Sequence, residues 1–235
     1  MQNYIDFKVN GINSGLKPKN SIFSWDFEDF YKISNNEQMK IQWYDSLFGI
    51  ETKPQIDVKE DFSKNLSYKY QPTNYSFIEY MFGKYPFSHF DHLYDFGVGY
   101  GRVIYMAAYF GCKCISGCEL DKNYYDALLY SLKHNNHDFV ASSSINIVNN
   151  DAKNVILDSS INKFFFFNPF HLKIYIKVFN NIVRSYAANK RNVMLFFYCP
   201  LKSTIKYINR FLDFKLLEKI DIDEEHVLFV VYQIK

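Results

Sequence analysis

The chain has 235 residues, a length that suits one domain of ordinary size. Its hydrophobic residues (48%) and charged residues (22%) occur in the proportions of a globular protein, and no apolar run approaches the roughly 20 residues that span a bilayer. The 27 basic and 25 acidic residues leave a net charge of +2. This charge is too small to indicate a nucleic-acid partner from the whole chain, although a local basic patch remains open.

The first residues, MQNYIDFKVNGINSG, contain no apolar stretch behind a basic start. We therefore expect neither a secretory signal nor a transit peptide, and we expect the protein in the cytoplasm. The four cysteines are few for a disulfide framework, and they do not have the spacing of a zinc ribbon. We therefore expect reduced thiols and no metal site.

Residues 1–64 show no alternation of strand and helix patterns, and we expect them to form an extension that caps the main domain, residues 65–235. Within this extension the sequence predicts a helix over Glu37–Phe48. A further helix is predicted over Tyr75–Phe82, where Asn74 is of the residue type that caps a helix N-terminus.

From about residue 92 onwards, short apolar runs alternate with amphipathic stretches, which is the pattern of a doubly wound α/β sheet. The predicted strands are His92–Phe96, Lys113–Glu119, Ser144–Val148, Lys163–Phe167 and Asn192–Tyr198. The predicted helices between them are Gly101–Phe110, Asp121–His137 and His171–Ala188.

The pattern changes after Pro200. A predicted helix over Ser203–Phe211 is followed by two strands, Phe214–Ile220 and His226–Ile234, whose short polar connection indicates an antiparallel hairpin. We therefore predict an α/β fold with a mostly parallel, seven-stranded Rossmann-like sheet that ends in this hairpin. The second half of a dehydrogenase-type sheet would instead keep alternating with helices.

The strongest local signal is LYDFGVGYGR, residues 93–102, in which a strand runs into Gly97, Gly99 and Gly101 before a helix. Glycines at these positions let the backbone turn tightly and approach a ligand, while the helix N-terminus offers unpaired N–H groups. Asp95 would repel a pyrophosphate but suits a ligand that carries an amino group. Together with the G-x-G-x-G spacing, this disfavours a nicotinamide-dependent oxidoreductase.

Polar residues also follow the next three predicted strands. Glu119 is placed to accept hydrogen bonds from a ribose diol, and Asp151 is placed to accept one from an adenine amino group. Taken alone, Asp151 would more often be a loop or N-cap residue. For Asn168 the alternative is an Asx-type turn that closes a buried strand, and the functional interpretation is favoured over it. The polar residues at the four strand ends are Asp95, Glu119, Asp151 and Asn168. Because the carboxyl ends of parallel strands share one edge of a sheet, these four together predict a ligand site at that edge.

The segments DFGVGYGR, GCELD, NNDA and FFFFNPF, in this order and spacing, resemble the class I methyltransferases that use S-adenosylmethionine. The resemblance covers roughly residues 66–235 and implies S-adenosylmethionine as the cofactor. It implies a glycine loop under the methionine part, an acidic residue on the ribose, an apolar residue packed on the adenine and a pair at the adenine edge. The glycine loop is formed by Gly97, Gly99 and Gly101, with Asp95 just before it. The residue on the ribose is Glu119, the residue on the adenine is Leu120, and the pair at the adenine edge is Asp151 and Ala152.

The NPF segment resembles the Asn/Asp-Pro-Pro-aromatic motif of amino-group methyltransferases, in which the Asn side chain and the following carbonyl hold the acceptor nitrogen. It implies catalytic roles for Asn168, Pro169 and Phe170, with Asn168 also near the cofactor. Here Phe170 stands in place of the second Pro, and His171 stands in place of the aromatic residue.

Two segments before the main sheet, FGIET and YQPTNYSFIEYMF, resemble the lead-in of bacterial relatives of the lysine-methylating Dot1-like group. This likeness implies that Tyr70 and Thr73 touch the methionine end of the cofactor.

The implied activity is methyl transfer to a nitrogen or oxygen acceptor, with a small metabolite or surface-glycan precursor favoured and residues 1–64 shaping its pocket. A protein lysine or an RNA base is the alternative acceptor, and a non-catalytic partner subunit is the alternative role. Asn168 would orient an amine acceptor, whereas a hydroxyl would need a base such as His92, His171 or a residue of the extension. Basic residues such as Lys173 and Lys177 are expected to form a solvated helix face.

Overall fold

The computed structural model describes residues 37–52, 70–167, 169–223 and 226–235. The predictions for Asn168 and for residues 1–36 and 53–64 of the extension therefore lie outside the described residues. In the ranges that are described, no helix combines the length and the apolar character needed to cross a membrane.

The strands of these ranges are β1 (His92–Phe96), β2 (Cys114–Glu119), β3 (Ser144–Asn149), β4 (Lys163–Phe167), β5 (Met194–Tyr198), β6 (Phe214–Asp221) and β7 (Val227–Ile234). They form one seven-stranded sheet in the order β3-β2-β1-β4-β5-β7-β6. β1 to β5 run parallel, whereas β7 pairs antiparallel with both β5 and β6. The predicted fold class is confirmed.

The helices of these ranges are α1 (Glu37–Phe48), α2 (Tyr75–Lys84), α3 (Arg102–Tyr109), α4 (Lys122–His134), α5 (Asp138–Ala141), α6 (Leu172–Ala188) and α7 (Lys202–Phe211). A short 3₁₀ helix covers Ala152–Asn154. Asn74 caps α2 as predicted, since its side chain accepts a hydrogen bond from the Phe77 amide.

The predicted helix Asp121–His137 is too long, because α4 ends at His134. The next residue, Asn135, leaves the helical conformation and donates from Nδ2 to the Phe48 carbonyl oxygen at 2.9 Å. Its Oδ1 accepts from the His137 amide at 3.0 Å. These side-chain bonds compete with the helical ones and end α4 early.

The sheet is covered on both faces, by α1, α2 and α3 on one side and by α6 and α7 on the other. Phe96, Phe166 and Phe197 occupy paired positions on β1, β4 and β5, and their rings stack with centroids 4.9 and 4.8 Å apart. Burial of such rings, together with their stacking, favours this register of the three central strands.

Helix α1, from the predicted extension, packs into the same core cluster as α2 and α3. Tyr44 and Phe48 are fully buried, and the Tyr44 ring stacks on Tyr75 with centroids 4.6 Å apart. Glu79 of α2 accepts hydrogen bonds from Lys40 and Tyr44. This part of the extension therefore lies against the main sheet.

Candidate functional site

The glycine loop between β1 and α3 lies at the carboxyl edge of the sheet. The amides of Gly97 and Val98 donate to the Cys118 carbonyl oxygen at 2.9 and 3.1 Å, so the loop is fastened to the end of β2. Gly97, Gly99 and Gly101 all have positive φ, at 85°, 53° and 87°.

Two of these glycines also allow close approaches. A Cβ at Gly97 would lie 3.3 Å from the Pro169 Cβ, and a Cβ at Gly99 would overlap the Tyr70 ring. The fold thus brings the glycine loop against two residues that the sequence singled out from distant segments.

Asp95 lies directly beside this loop and is 3% exposed. Among the described residues, no group forms a hydrogen bond or ion pair with its carboxylate. Burial, and then the nearby Glu119 carboxylate, raise the pKa of Asp95 to about 8. A buried acidic group without a partner is costly to a fold, and such groups concentrate at ligand sites.

Glu119, at the end of β2, is buried and faces the glycine loop. Its Oε2 accepts from the Gly99 amide at 2.8 Å, and its Oε1 accepts from the Asp121 amide at 3.0 Å. Burial raises the pKa of Glu119, and the two amide bonds oppose that effect. Each carboxylate oxygen can accept a further hydrogen bond, so the group remains able to bind a diol. The next residue, Leu120, is 49% exposed at the same edge.

Asp151 follows β3 and caps the 3₁₀ helix. Its side chain accepts from the Lys153 amide at 3.1 Å and forms a 2.6 Å ion pair with the Lys153 ammonium group. Ala152 is half-buried and packs against the core cluster beneath α6. The capping role is thus present, and the role at an adenine edge stays a prediction.

Tyr70 and Thr73 lie beside the glycine loop. The Tyr70 ring contacts Tyr100 and Tyr124, with centroids 5.3 and 5.0 Å away. The Thr73 side chain is buried, and its carbonyl oxygen accepts from Arg102 Nη1 at 2.7 Å.

The NPF segment is only partly described. Asn168 lies outside the described residues, whereas Pro169 lies against Gly97. Phe170 is 5% exposed, and its ring packs against Phe166 and Tyr175. Any contact of Phe170 with an acceptor therefore has to come from its backbone.

The two histidines considered as bases lie in different places. His92 is the first residue of β1, at the amino edge, and its ring bonds Ser116 and Ser160 at 2.8 Å each. Because β1 runs from that edge to the glycine loop, His92 faces away from the candidate site. His171 directly precedes α6 at the carboxyl edge and is exposed.

Sequence reasoning missed Arg102, the residue directly after Gly101. Its buried guanidinium donates to the Thr52 hydroxyl and the Thr73 carbonyl, and it lies 4.1 Å from the Tyr75 ring centroid. The available signal was an arginine at the first turn of an otherwise apolar helix, where a cation opposes the helix dipole.

Comparisons with known proteins identify the fold of this chain. The sequence matches no protein-family model and no curated protein sequence. A crystal structure of a SAM-dependent methyltransferase from Aquifex aeolicus is similar with a TM-score of 0.51 and 10% identity, over 67% of this chain and 89% of that one.

The PH0226 protein from Pyrococcus horikoshii OT3 is similar with a TM-score of 0.51 and 12% identity, over 67% of this chain and 88% of that one. The tRNA (uracil-54, C5)-methyltransferase of Pyrococcus abyssi, in complex with S-adenosyl-L-homocysteine, is similar with a TM-score of 0.49 and 14% identity, over 70% of this chain and 40% of that one. The likeness to the Aquifex aeolicus structure shows that the chain has the Rossmann-like fold found in SAM-dependent methyltransferases, so the fold that the resemblance implied is confirmed. The roles that it implied for the motif residues stay predictions.

Proposed function

We propose that this protein transfers a methyl group from S-adenosylmethionine to a nitrogen or oxygen acceptor. The observation that carries the proposal is Asp95, a buried carboxyl group without a partner in the described chain, beside a loop whose glycines have positive φ and pack closely against Tyr70 and Pro169. The ammonium group of the methionine part would favour the ionised form of Asp95 and pair with it. A bound ligand would supply the hydrogen bonds to Asp95 that the described residues do not.

The neighbouring residues fit the rest of the same molecule. Glu119 keeps acceptor capacity for a ribose diol, and the exposed side chain of Leu120 offers an apolar surface for an adenine. Asp151 and Ala152 would hold the adenine edge. Tyr70 and Thr73 would line the methionine end, since Tyr70 lies against Gly99.

The work of the protein in this reaction is alignment. A bound sulfonium supplies an already activated methyl group, so the chain has to exclude water and hold the acceptor in line. We assign acceptor positioning to Asn168, Pro169 and the Phe170 backbone, because Pro169 lies against Gly97. With a hydroxyl acceptor, His171 is the better placed base, since His92 lies at the opposite edge.

The binding test is calorimetric titration with S-adenosylmethionine and S-adenosylhomocysteine, with NAD as the control ligand. We expect dissociation constants in the micromolar range, roughly −8 kcal/mol, and no binding of NAD. Glu119→Gln should weaken both sulfur ligands at least tenfold. The matched control is Asp126→Asn, which changes an exposed carboxylate paired with Lys122. If neither sulfur ligand binds the wild type, the proposal fails.

The catalytic test separates an enzyme from a non-catalytic partner subunit. With a small-metabolite, glycan-precursor, protein or RNA acceptor, Asn168→Ala should lose at least a hundredfold in turnover while S-adenosylmethionine affinity changes little. Equal turnover in variant and wild type would remove Asn168 from the reaction.

A further inference from the structure

Charge is distributed unevenly along this chain. Residues 159–212 contain nine basic residues and no acidic one, although the whole chain is nearly neutral. The rest of the chain carries 18 basic and 25 acidic residues. The weak net charge therefore conceals a strongly cationic segment within an otherwise anionic protein.

The fold places six of these nine cations in one layer of helices, whereas Lys163 is buried on β4 near Asp91. Helices α6 and α7 lie side by side on the same face of the sheet, where Phe179 stacks on Tyr207 with centroids 6.3 Å apart. Each helix turns its apolar residues to the sheet, and its cations are spaced so as to share the opposite side. These outward cations, the α6–α7 basic face, are Lys173, Lys177, Arg184, Lys202, Lys206 and Arg210.

The basic face lacks the carboxylates that pair with cations elsewhere. Within the described ranges, no ion pair involves Lys173, Lys177, Arg184, Lys206 or Arg210, and all five side chains are exposed. On α4, by contrast, Lys122 pairs with Asp126 at 2.6 Å. A patch of one sign without counter-charges creates a local field that attracts anions.

This face begins at the candidate site. α6 starts two residues after Phe170, and α7 starts four residues after the end of β5, so both N-termini lie at the carboxyl edge. From Lys173 to Arg184 the row runs for about 16 Å, at 1.5 Å per residue. A single phosphate occupies only one end of such a row, whereas a polyanion can follow its length.

Aromatic side chains accompany the cations at the far end of the row. Phe211 is 61% exposed, with the Arg210 guanidinium 5.3 Å from its ring centroid and the Tyr207 ring 5.1 Å away. Exposed rings among basic residues are platforms on which unpaired bases stack. In RNA such bases are presented by single-stranded loops, bulges and ends.

We propose that the α6–α7 basic face binds the phosphate backbone of single-stranded RNA and leads a base of that RNA to the carboxyl edge. The identity of RNA as methyl acceptor rests on the proposed function, but binding to the face does not. The surface and the methyl-transfer site can therefore be tested separately on the same protein.

The test is fluorescence anisotropy with a labelled 20-nucleotide single-stranded RNA over a range of salt concentrations. The variant Lys177→Gln, Lys206→Gln, Arg210→Gln removes three cations of the face. We expect at least tenfold weaker binding and a slope of log K against log salt reduced by roughly 2, at about 0.7 for each phosphate that is no longer neutralised. Phe211→Ala should weaken binding several-fold.

The matched control removes the same charge elsewhere, by Lys113→Gln, Lys122→Gln and Lys133→Gln. All three side chains are exposed: Lys113 directly precedes β2, and Lys122 and Lys133 lie on α4. Equal losses of RNA affinity in the control and test variants would overturn the proposal. It would also be overturned if the protein bound polyglutamate, anionic vesicles or double-stranded DNA as tightly as it binds the RNA. Wild-type protein that binds S-adenosylmethionine but no RNA at low salt would overturn the face alone, whereas RNA binding without S-adenosylmethionine binding would overturn the proposed function alone.

Discussion

Two buried aspartates four residues apart, at the start and near the end of the same segment, differ in whether their carboxyl groups are bonded. Asp91, just before β1, accepts from the Ser88 amide and from Asn162 Nδ2, and Lys163 lies 3.3 Å away. Burial raises the pKa of Asp91, but these partners together lower it by more, so the pKa lies below its usual value. Asp95 has no such partners among the residues that the structure describes, and its pKa rises to about 8. Asp91 is therefore bonded within the fold, whereas Asp95 is the carboxyl group that we assign to a ligand.

This contrast predicts opposite effects of Asp95→Asn on stability and on binding. Between about pH 4 and pH 8 the folded protein keeps a proton on Asp95 that the unfolded chain has lost, so the free energy of unfolding falls as pH rises through this window. Removing the charge should therefore stabilise the ligand-free protein by at least about 1 kcal/mol at pH 8.5, and by less at pH 5. Affinity for S-adenosylmethionine should fall at least tenfold. Urea unfolding at both pH values and calorimetric titration measure these effects.

Asp91→Asn is the control for that experiment. Because Asp91 is paired, its substitution should destabilise the protein at both pH values. If Asp95→Asn gave no gain at pH 8.5, Asp95 would have to be bonded in the folded protein, and the main support for the cofactor site would be lost.

At the scale of elements, Arg102 joins α1 and α2 to the glycine loop. It starts α3 directly after Gly101, it donates to Thr52, and its guanidinium lies 3.9 Å from carboxylate oxygens of Glu37 and Asp45 on α1. Asp45 in turn accepts from the Tyr75 hydroxyl at 2.6 Å. A helix distant in sequence is thereby coupled to the loop that forms the candidate site.

We expect Arg102→Gln to destabilise the protein by about 3–5 kcal/mol, because it leaves two carboxylates without their cation in a buried site. Arg184→Gln, an exposed arginine on α6, should change stability by less than about 0.5 kcal/mol. Urea unfolding curves of the two variants test this. A midpoint for Arg102→Gln that coincides with the wild type would mean that the network contributes nothing to stability.

At the scale of the whole molecule, the last strand lies inside the sheet. β7 pairs with β5 on one side and β6 on the other, and Phe229, Val230 and Val231 are fully buried. β6, which precedes it in the chain, occupies the edge. Removing β7 would therefore leave β6 without a hydrogen-bonding neighbour and β5 paired on one side only, with β4.

A chain that ends at Asp221 should consequently show no cooperative unfolding transition, because β6 and one side of β5 lose their ladder and the core clusters lose β7. Near-ultraviolet circular dichroism and urea titration would detect this loss. A chain that lacks only Lys235, which follows β7, is the control and should unfold like the wild type. A truncated protein that kept the wild-type transition would contradict the role given to β7.

The sequence by itself determined every element except α5 and the short 3₁₀ helix, and it identified the polar residues at four strand ends, Asp95, Glu119, Asp151 and Asn168. Except at the end of α4, every predicted helix and strand lies within two residues of its observed bounds. Hydrophobic periodicity, glycines and prolines act on residues a few positions apart, so these signals are visible without the fold. The parallel sheet then followed from the alternation of strands and helices.

Only the tertiary structure decided what each position contacts. It left Asp95 without a partner in the described chain, turned the Phe170 ring into the core, set His92 at the far edge and gave Arg102 its carboxylates. It also brought the cations of α6 and α7 onto one face. Such contacts join residues tens of positions apart, and they depend on which strands pair and which helix faces are buried. The energies that settle those choices belong to the folded core as a whole, and no local pattern carries them.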